Sequence, residues 1–228
     1  MRQRKISIII LLLVVVIIAL FLAYLSSQRS GYENKQSAIT NEGIVRIIPE
    51  LSSNEHVFWE GSEEIVVIEY FSIDCPGCRN LLLEKETLPD KVKSQVRLIY
   101  RWFPLLNLHP QSLERAIIAE CVSSVSGDSS FFAFLKSVAQ LYQEKTSENV
   151  WLIDIAKQYV HDEIQFEECV SNKHTIDIIN HQRAGGYSMG VFSTPTFIVI
   201  KKGESIKKFD LVGSVSGKRL LESLSGQE

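Results

Sequence analysis

Two cysteines stand three residues apart in "EYFSIDCPGCRNLLLEK", residues 69–85. Cys75 and Cys78 flank Pro76 and Gly77, where an apolar, β-branched run gives way to a helix-like one. A thiol at a helix N-terminus meets unpaired N–H groups and the positive end of the helix dipole. Both favour thiolate over thiol and lower the pKa. Thiolate attacks disulfides, and a second thiol one turn further on can reach back and resolve the mixed disulfide. The spacing therefore predicts Cys75 as nucleophile and Cys78 as resolving thiol. Pro76 suits the first helical position, where its missing N–H is no loss. Two other readings stand beside this one: half of a zinc site, or a structural bridge without redox activity. A zinc site needs a second ligand pair at metal spacing. Cys121 and Cys169 are isolated, with only His174 close by, five residues past Cys169. No metal is expected.

Several elements must position this motif. "EEIVVIEYF", Glu63 to Phe71, reads as a buried strand, and Arg79 to Leu88 as a helix closed near Pro89. "QVRLIYRWF", Gln95 to Phe103, reads as a second strand stopped by Pro104. Strand, helix, strand in that order suggests a parallel βαβ unit. A helical block follows, with Pro110 in its first turn and "LERAIIAECV" continuing it. Further helical spacing covers Phe131–Tyr142 and Trp151–Val160. Asp162 with Gln165 resembles a capping box for a helix through Cys169, and another helix runs from His174 towards Arg183. Gly185, Gly186 and Gly190 interrupt that pattern. Thr196–Ile200 is a strand, residues 201–204 a turn and "SIKKFDLVG" its antiparallel partner; "GKRLLESL" closes the chain as a short helix. The fold class is α/β: βαβ, a helical insertion at about 110–184, then ββα.

The first residues are a different material. Residues 1–5 carry Arg2, Arg4 and Lys5. Residues 6–25 are apolar apart from Ser7 and the Tyr24 phenol. Twenty helical residues span about 30 Å, the thickness of a bilayer core. The apolar run exceeds the usual secretory h-region, and "AYLSSQRS" is a poor cleavage site. An uncleaved transmembrane signal anchor is the reading, with a cleaved signal or a buried core helix as alternatives. Basic residues on the N-terminal side put the N-terminus in the cytoplasm and the catalytic domain outside. Residues 26–43 read as a polar linker, and the domain as 44–228.

The chain has 228 residues, 45% of them hydrophobic, and a net charge of −3 with both signs mixed. That gives no footprint for nucleic acid. Four cysteines outside the cytoplasm can persist as disulfides, and the even count fits two bridges.

Strand, C-x-x-C, helix and a distant Thr194-Pro195-Thr196 opening a strand resemble the thioredoxin fold. With the helical block between the halves, the chain resembles the DsbA family of exported thiol oxidases. The matching pieces are "IEYFSIDCPGC", "VRLIYRWFPL", "HPQSLERAIIAEC", "FEECV" and "MGVFSTPTFIV". The resemblance implies a membrane-anchored, extracytoplasmic thiol:disulfide oxidoreductase that introduces disulfides into exported proteins. It needs no cofactor, takes unfolded or reduced clients, and is reoxidised by a membrane partner. It implies a cis-proline loop at Thr194 and Pro195 that binds extended substrate. It also places Glu69 as a buried acid beneath the cysteines that takes a proton from the resolving thiol through water, against the plain reading of a surface carboxylate. Cys121 and Cys169 correspond to a second bridge clamping the helical block, against two buried free thiols.

The chain departs from the family at two points. Gly77 replaces the histidine of the DsbA oxidase, which implies a weaker oxidant. Ser193 stands where glycine is commoner, which implies a slightly different approach of the loop to the cysteines. Two rival functions remain: a reductase or isomerase of the same fold, and a non-catalytic client-binding protein. Trp102, Phe103 and Pro104 are read either as core or as an apolar client surface. Asp128 with Ser129 and Ser130 is read as a helix cap.

Overall fold

The computed structural model describes residues 55–142, 149–210 and 214–224. The predicted basic tail 1–5, apolar span 6–25, linker 26–43 and domain start at 44 lie outside the described residues. Among those described, no helix is long and apolar enough to cross a membrane.

Five strands form one mixed sheet: β1 (His56–Glu60), β2 (Ile65–Phe71), β3 (Arg97–Trp102), β4 (Thr196–Lys201) and β5 (Lys207–Asp210), in the order β1-β3-β2-β4-β5. β2 runs parallel to β3, with Glu69 opposite Tyr100, as the βαβ reading requires. β4 is antiparallel to both β2 and β5. Strand β2 is central and buried almost throughout, hence its continuous apolar run instead of an alternation.

Helix α1 (Pro76–Glu86) connects β2 to β3 and turns Cys78, Leu81, Leu82 and Lys85 inward. Burying Leu81 or Leu82 contributes about 1.5–3 kcal/mol each. A six-residue helix that the sequence does not signal, α2 (Asp90–Gln95), follows Pro89, and only Val92 on it is buried. One buried side chain leaves no periodicity to read.

The helical insertion comprises α3 (Ser112–Leu141), α4 (Val150–Ala156), α5 (Glu163–Val170) and α6 (Lys173–Ser188). Pro110 precedes α3 by two residues instead of occupying its first turn. Gly127 breaks α3 into two arms with φ 79° and ψ 173°, a left-handed conformation that glycine adopts freely. The Asp162 carboxylate accepts from the Gln165 N–H at 3.0 Å and caps α5. A disulfide joins Cys121 on α3 to Cys169 on α5, with a Cα–Cα distance of 5.6 Å. Loop-closure entropy for a link of this length gives about 4 kcal/mol.

Helix α6 corrects the reading of Gly185–Gly186 as a stop, because it continues through both. A Cβ on Gly186 would lie 2.8 Å from the Phe103 ring and 2.9 Å from the Tyr70 ring. The glycine lets the helix sit close against the sheet. Helix α7 (Ser214–Leu224) closes the fold and packs on α1.

The sheet separates two cores. Val67, Phe71, Leu98, Tyr100, Trp102 and Phe197 meet α1 and α3 on one face. Val66, Ile68, Tyr70, Ile99, Phe103 and Ile198 pack with Val191 on the other.

Strand β1 is absent from the sequence reading. It pairs antiparallel with β3 and is held by contacts far away in sequence. His56 Nδ1 lies 2.8 Å from Asp128 Oδ1, and Nε2 lies 2.8 Å from Glu120 Oε2. Its ring stacks on Phe131 at 3.9 Å. Asp128 also accepts from Ser123 Oγ at 3.0 Å, so its carboxylate anchors β1; the helix-cap reading missed that role.

Candidate redox site

Cys75 is the N-cap of α1, with extended backbone at φ −73° and ψ 115°, and Pro76 follows in the first turn. The Cys78 N–H points at Cys75 Sγ from 3.3 Å. Both cysteines are free thiols. Both are buried at the β2–α1 junction, Cys75 8% and Cys78 3% exposed.

Only two residues separate them, yet their acidities diverge. The Cys75 pKa is lowered to about 6, chiefly by the hydrogen bond from Cys78, with burial opposing and the Cys78 and Gly77 backbones assisting. The thiol form donates to the Thr194 carbonyl at 3.2 Å, a bond the thiolate gives up for those N–H donors. Cys78 goes the other way. Burial raises its pKa well above the usual thiol range, and the neighbouring Cys75 and Glu69 reinforce the rise.

Thr194 belongs to a loop fixed against the motif. The Thr194–Pro195 peptide bond is cis. Thr196 Oγ1 donates to the Ser193 carbonyl at 2.8 Å and to Asp210 Oδ1 at 3.0 Å, tying the loop to β5. Thr194 and Pro195 therefore stand beside Cys75, where the resemblance puts them. Ser193 is exposed and supplies only its carbonyl to that tie.

Glu69 is fully buried on β2, not at the surface. It is ion-paired with Lys85 from α1, whose ammonium also donates to the Tyr100 hydroxyl on β3. Burial raises the Glu69 pKa, and Lys85 pulls it back. Burial lowers the Lys85 pKa, and Glu69 opposes that change. The acid expected beneath the cysteines is thus one member of a buried trio. Sequence reasoning missed Lys85. Its place was readable all the same: it lies seven residues after Cys78, four after Leu81 and three after Leu82, on the inward face of α1.

Trp102, Phe103 and Pro104 are buried, so they belong to the core. The exposed aromatics lie elsewhere. Phe192 is 72% exposed, two residues before Thr194, and Tyr187 is 44% exposed. Their rings approach to 6.2 Å, and Tyr187 packs edge-on against Phe103 at 4.9 Å. The signal for Phe192 is an aromatic in a loop with no periodic apolar partners; Tyr187 sits at the end of α6 and carries none.

None of the curated proteins matches this chain. Solved structures share its fold. BdbD from Bacillus subtilis, in oxidised form, superposes with a TM-score of 0.60 at 17% identity, covering 76% of this chain and 94% of BdbD. BcfH from Salmonella enterica Typhimurium gives 0.62 at 16%, covering 92% of each chain. The thiol-disulfide exchange protein alpha-DsbA2 from Wolbachia pipientis gives 0.61 at 20%, covering 80% of this chain and 90% of that one. The shared fold is that of DsbA-type proteins. A thioredoxin family profile matches residues 53–208, well over half of the sequence, and the chain belongs to the thioredoxin family.

Proposed function

We propose that this protein is a membrane-anchored thiol:disulfide oxidoreductase that introduces disulfides into exported proteins outside the cytoplasm. The observation that carries the reading is the placement of two thiols at one helix start, Cys75 capping α1 beside the Thr194 carbonyl and Cys78 buried behind it, which lowers the pKa of the first and raises that of the second. An inert structural bridge needs no such asymmetry.

In the oxidised enzyme a client thiolate attacks Cys75 Sγ. The Cys75–Cys78 bond breaks, and Cys78 leaves with the electron pair. Being buried and hard to ionise, Cys78 takes up a proton, and the buried Glu69–Lys85–Tyr100 trio is the neighbouring group that can balance that charge. A second client thiolate attacks the client sulfur of the mixed disulfide. Cys75 leaves as the stabilised thiolate. The client has lost two electrons, and Cys75 and Cys78 have gained them. A membrane partner takes those electrons and restores the disulfide. The loop at Thr194 and Pro195 offers backbone to an extended client segment beside Cys75. Phe192 and Tyr187 offer it apolar surface.

The apolar span at residues 6–25 serves as the anchor in this reading, with the basic tail in the cytoplasm. The stabilised Cys75 thiolate supports the oxidase reading, because stabilising the reduced form makes the disulfide a stronger oxidant.

The test mixes the oxidised full-length protein with reduced, unfolded ribonuclease. Disulfides should appear in the client with matching loss of the Cys75–Cys78 bond. Cys75→Ser should abolish transfer, and Cys78→Ser should accumulate the mixed disulfide. A client that stays reduced beside an intact Cys75–Cys78 bond would support a binding protein instead. A reduction potential near the thioredoxin value of about −270 mV would support a reductase.

A further inference from the structure

Asp74, the residue before Cys75, is 2% exposed. A buried carboxylate beside a reactive thiol is costly, because a like charge disfavours the thiolate. Its surroundings come from the helical insertion. Asp74 Oδ1 accepts from Arg115 Nη1, in the first turn of α3, and from the Tyr142 hydroxyl, just past the end of α3, at 2.8 Å. Asp74 Oδ2 has no hydrogen-bond partner among the described residues.

Arg115 is itself held in place. Its Nε donates to Asn149 Oδ1 at 3.0 Å, its Nη2 to Gln111 Oε1 at 2.9 Å, and its Nη1 to Tyr142 at 2.9 Å. Asn149 in turn donates to Glu114 Oε2 at 2.7 Å. The second cation comes from α1. The Arg79 guanidinium lies over the Tyr142 ring at 3.5 Å and donates to the Ile73 carbonyl at 3.0 Å. The two residues before the nucleophile are thus held by Arg115 and Tyr142 at the two ends of α3 and by Arg79 of α1, with Asn149 at the start of α4 bracing Arg115.

We infer that Arg115 is a positioning residue for the redox site: by neutralising Asp74 it makes the charge balance around Cys75 depend on how the helical insertion is seated. The inference rests on Cys75 acting as a thiolate nucleophile, as in the function proposed above. When Arg115 withdraws, the carboxylate one residue from the sulfur keeps the Tyr142 hydroxyl but loses its counterion, and its uncompensated charge destabilises the thiolate. When the insertion is docked, the thiolate is favoured. The insertion therefore tunes the site through one ion pair.

The test is a double-substitution cycle read by the pH dependence of Cys75 alkylation in the reduced full-length protein. Alkylation needs no client and no reoxidising partner, so it reports on this coupling even if client oxidation fails. Arg115→Gln should raise the Cys75 midpoint by about one pH unit, slowing alkylation about tenfold at pH 5, where rate follows the thiolate fraction. The glutathione equilibrium at pH 7 should fall about fivefold for the same change. Asp74→Asn should lower the midpoint. With Asp74→Asn already in place, Arg115→Gln should no longer raise it above the unmodified protein's value. Arg115→Lys, which keeps the charge, should restore most of the thiolate stabilisation. If Arg115→Gln fails to fold, Asp74→Asn and Arg115→Lys still decide the matter: an unchanged midpoint in Asp74→Asn overturns the inference. A midpoint above the unmodified protein's value in the Asp74→Asn, Arg115→Gln double variant would also overturn it, since loosened packing and not the Asp74 charge would then be raising it.

Discussion

Reduced and oxidised forms of this protein should differ in stability by an amount that grows with pH. In the reduced form Cys75 titrates, and folding lowers its pKa from 9.0 to about 6. A group with a depressed folded pKa adds stability that is complete above its unfolded pKa and is lost as pH falls through its folded pKa. The window here is pH 6 to 9. A tenfold change in acidity is worth about 1.4 kcal/mol, so the contribution is near zero at pH 5, about 1.4 kcal/mol at pH 7 and about 2.7 kcal/mol at pH 8. Cys78 does not ionise in the folded protein over this range, because its pKa is raised. In the oxidised form neither sulfur titrates. Subtracting the two urea-denaturation curves at each pH cancels every other titrating group to first order. The reduced-minus-oxidised difference should rise by about 2.5 kcal/mol between pH 5 and pH 8. The same linkage makes the glutathione equilibrium about tenfold more favourable to the reduced form at pH 7 than an ordinary thiol would give. A flat difference, or an alkylation midpoint near 9, would refute the argument that the start of α1 stabilises the Cys75 thiolate.

Four further outcomes are expected. Mild reductant should open Cys75–Cys78 before Cys121–Cys169, followed by peptide mapping, because only the first bond releases a stabilised thiolate; Cys75 found joined to Cys121 or Cys169 would contradict the pairing. In membranes, Cys75 should react only with thiol reagents presented on the extracytoplasmic side, and cytoplasmic labelling would remove the exported-client reading. His56 has its pKa raised from 6.5 to about 9: burial alone would lower it, but the hydrogen bonds and charges of Asp128 and Glu120 outweigh that. Its contribution, on the order of 3 kcal/mol, should be complete below pH 6.5 and vanish as pH rises through 9, so denaturation of oxidised wild type and His56→Asn should converge on the alkaline side. Phe192→Ala should slow client oxidation about tenfold, the value of one large apolar contact, while leaving glutathione exchange and the Cys75 alkylation midpoint unchanged.

The legible parts of this sequence are those whose signal is local. Strands β2 and β3 are continuous apolar runs because both faces are covered, and the C-x-x-C between them sits where a strand must turn into a helix. The helical insertion is readable from spacing, down to the Asp162 cap. The unread parts are those whose stability is supplied from elsewhere in the chain. "HVFWE" is a strand because Glu120 and Asp128 bind His56 across more than 60 residues, which no window around His56 contains. Gly185–Gly186 reads as a helix end by propensity, yet the helix persists because Gly186 is where it meets Tyr70 and Phe103. Lys85 looks like a solvated lysine among glutamates until Glu69 is known to face it across the β2–α1 packing.

The same distinction bears on the chemistry. Spacing alone assigns Cys75 and Cys78 their order of action, because only the first lies at the helix terminus. It does not say why Cys78, once released, should not compete as a nucleophile. The buried trio bears on that. Next to Glu69, a Cys78 thiolate would place a second negative charge in a region with no solvent, so protonation is strongly favoured once the bond breaks. Lys85 keeps Glu69 from doing the opposite: among the described residues it is the one hydrogen-bond donor to that carboxylate, and without any donor a fully buried carboxylate protonates and its charge is lost. Replacing Lys85 with Met should therefore neutralise Glu69, ease ionisation of Cys78 and narrow the gap between the two thiols. Alkylation of Cys78 in a Cys75→Ser background would measure that gap. A Cys78 reactivity unchanged by Lys85→Met would mean that burial alone sets it, and that the trio plays no part in keeping Cys78 protonated.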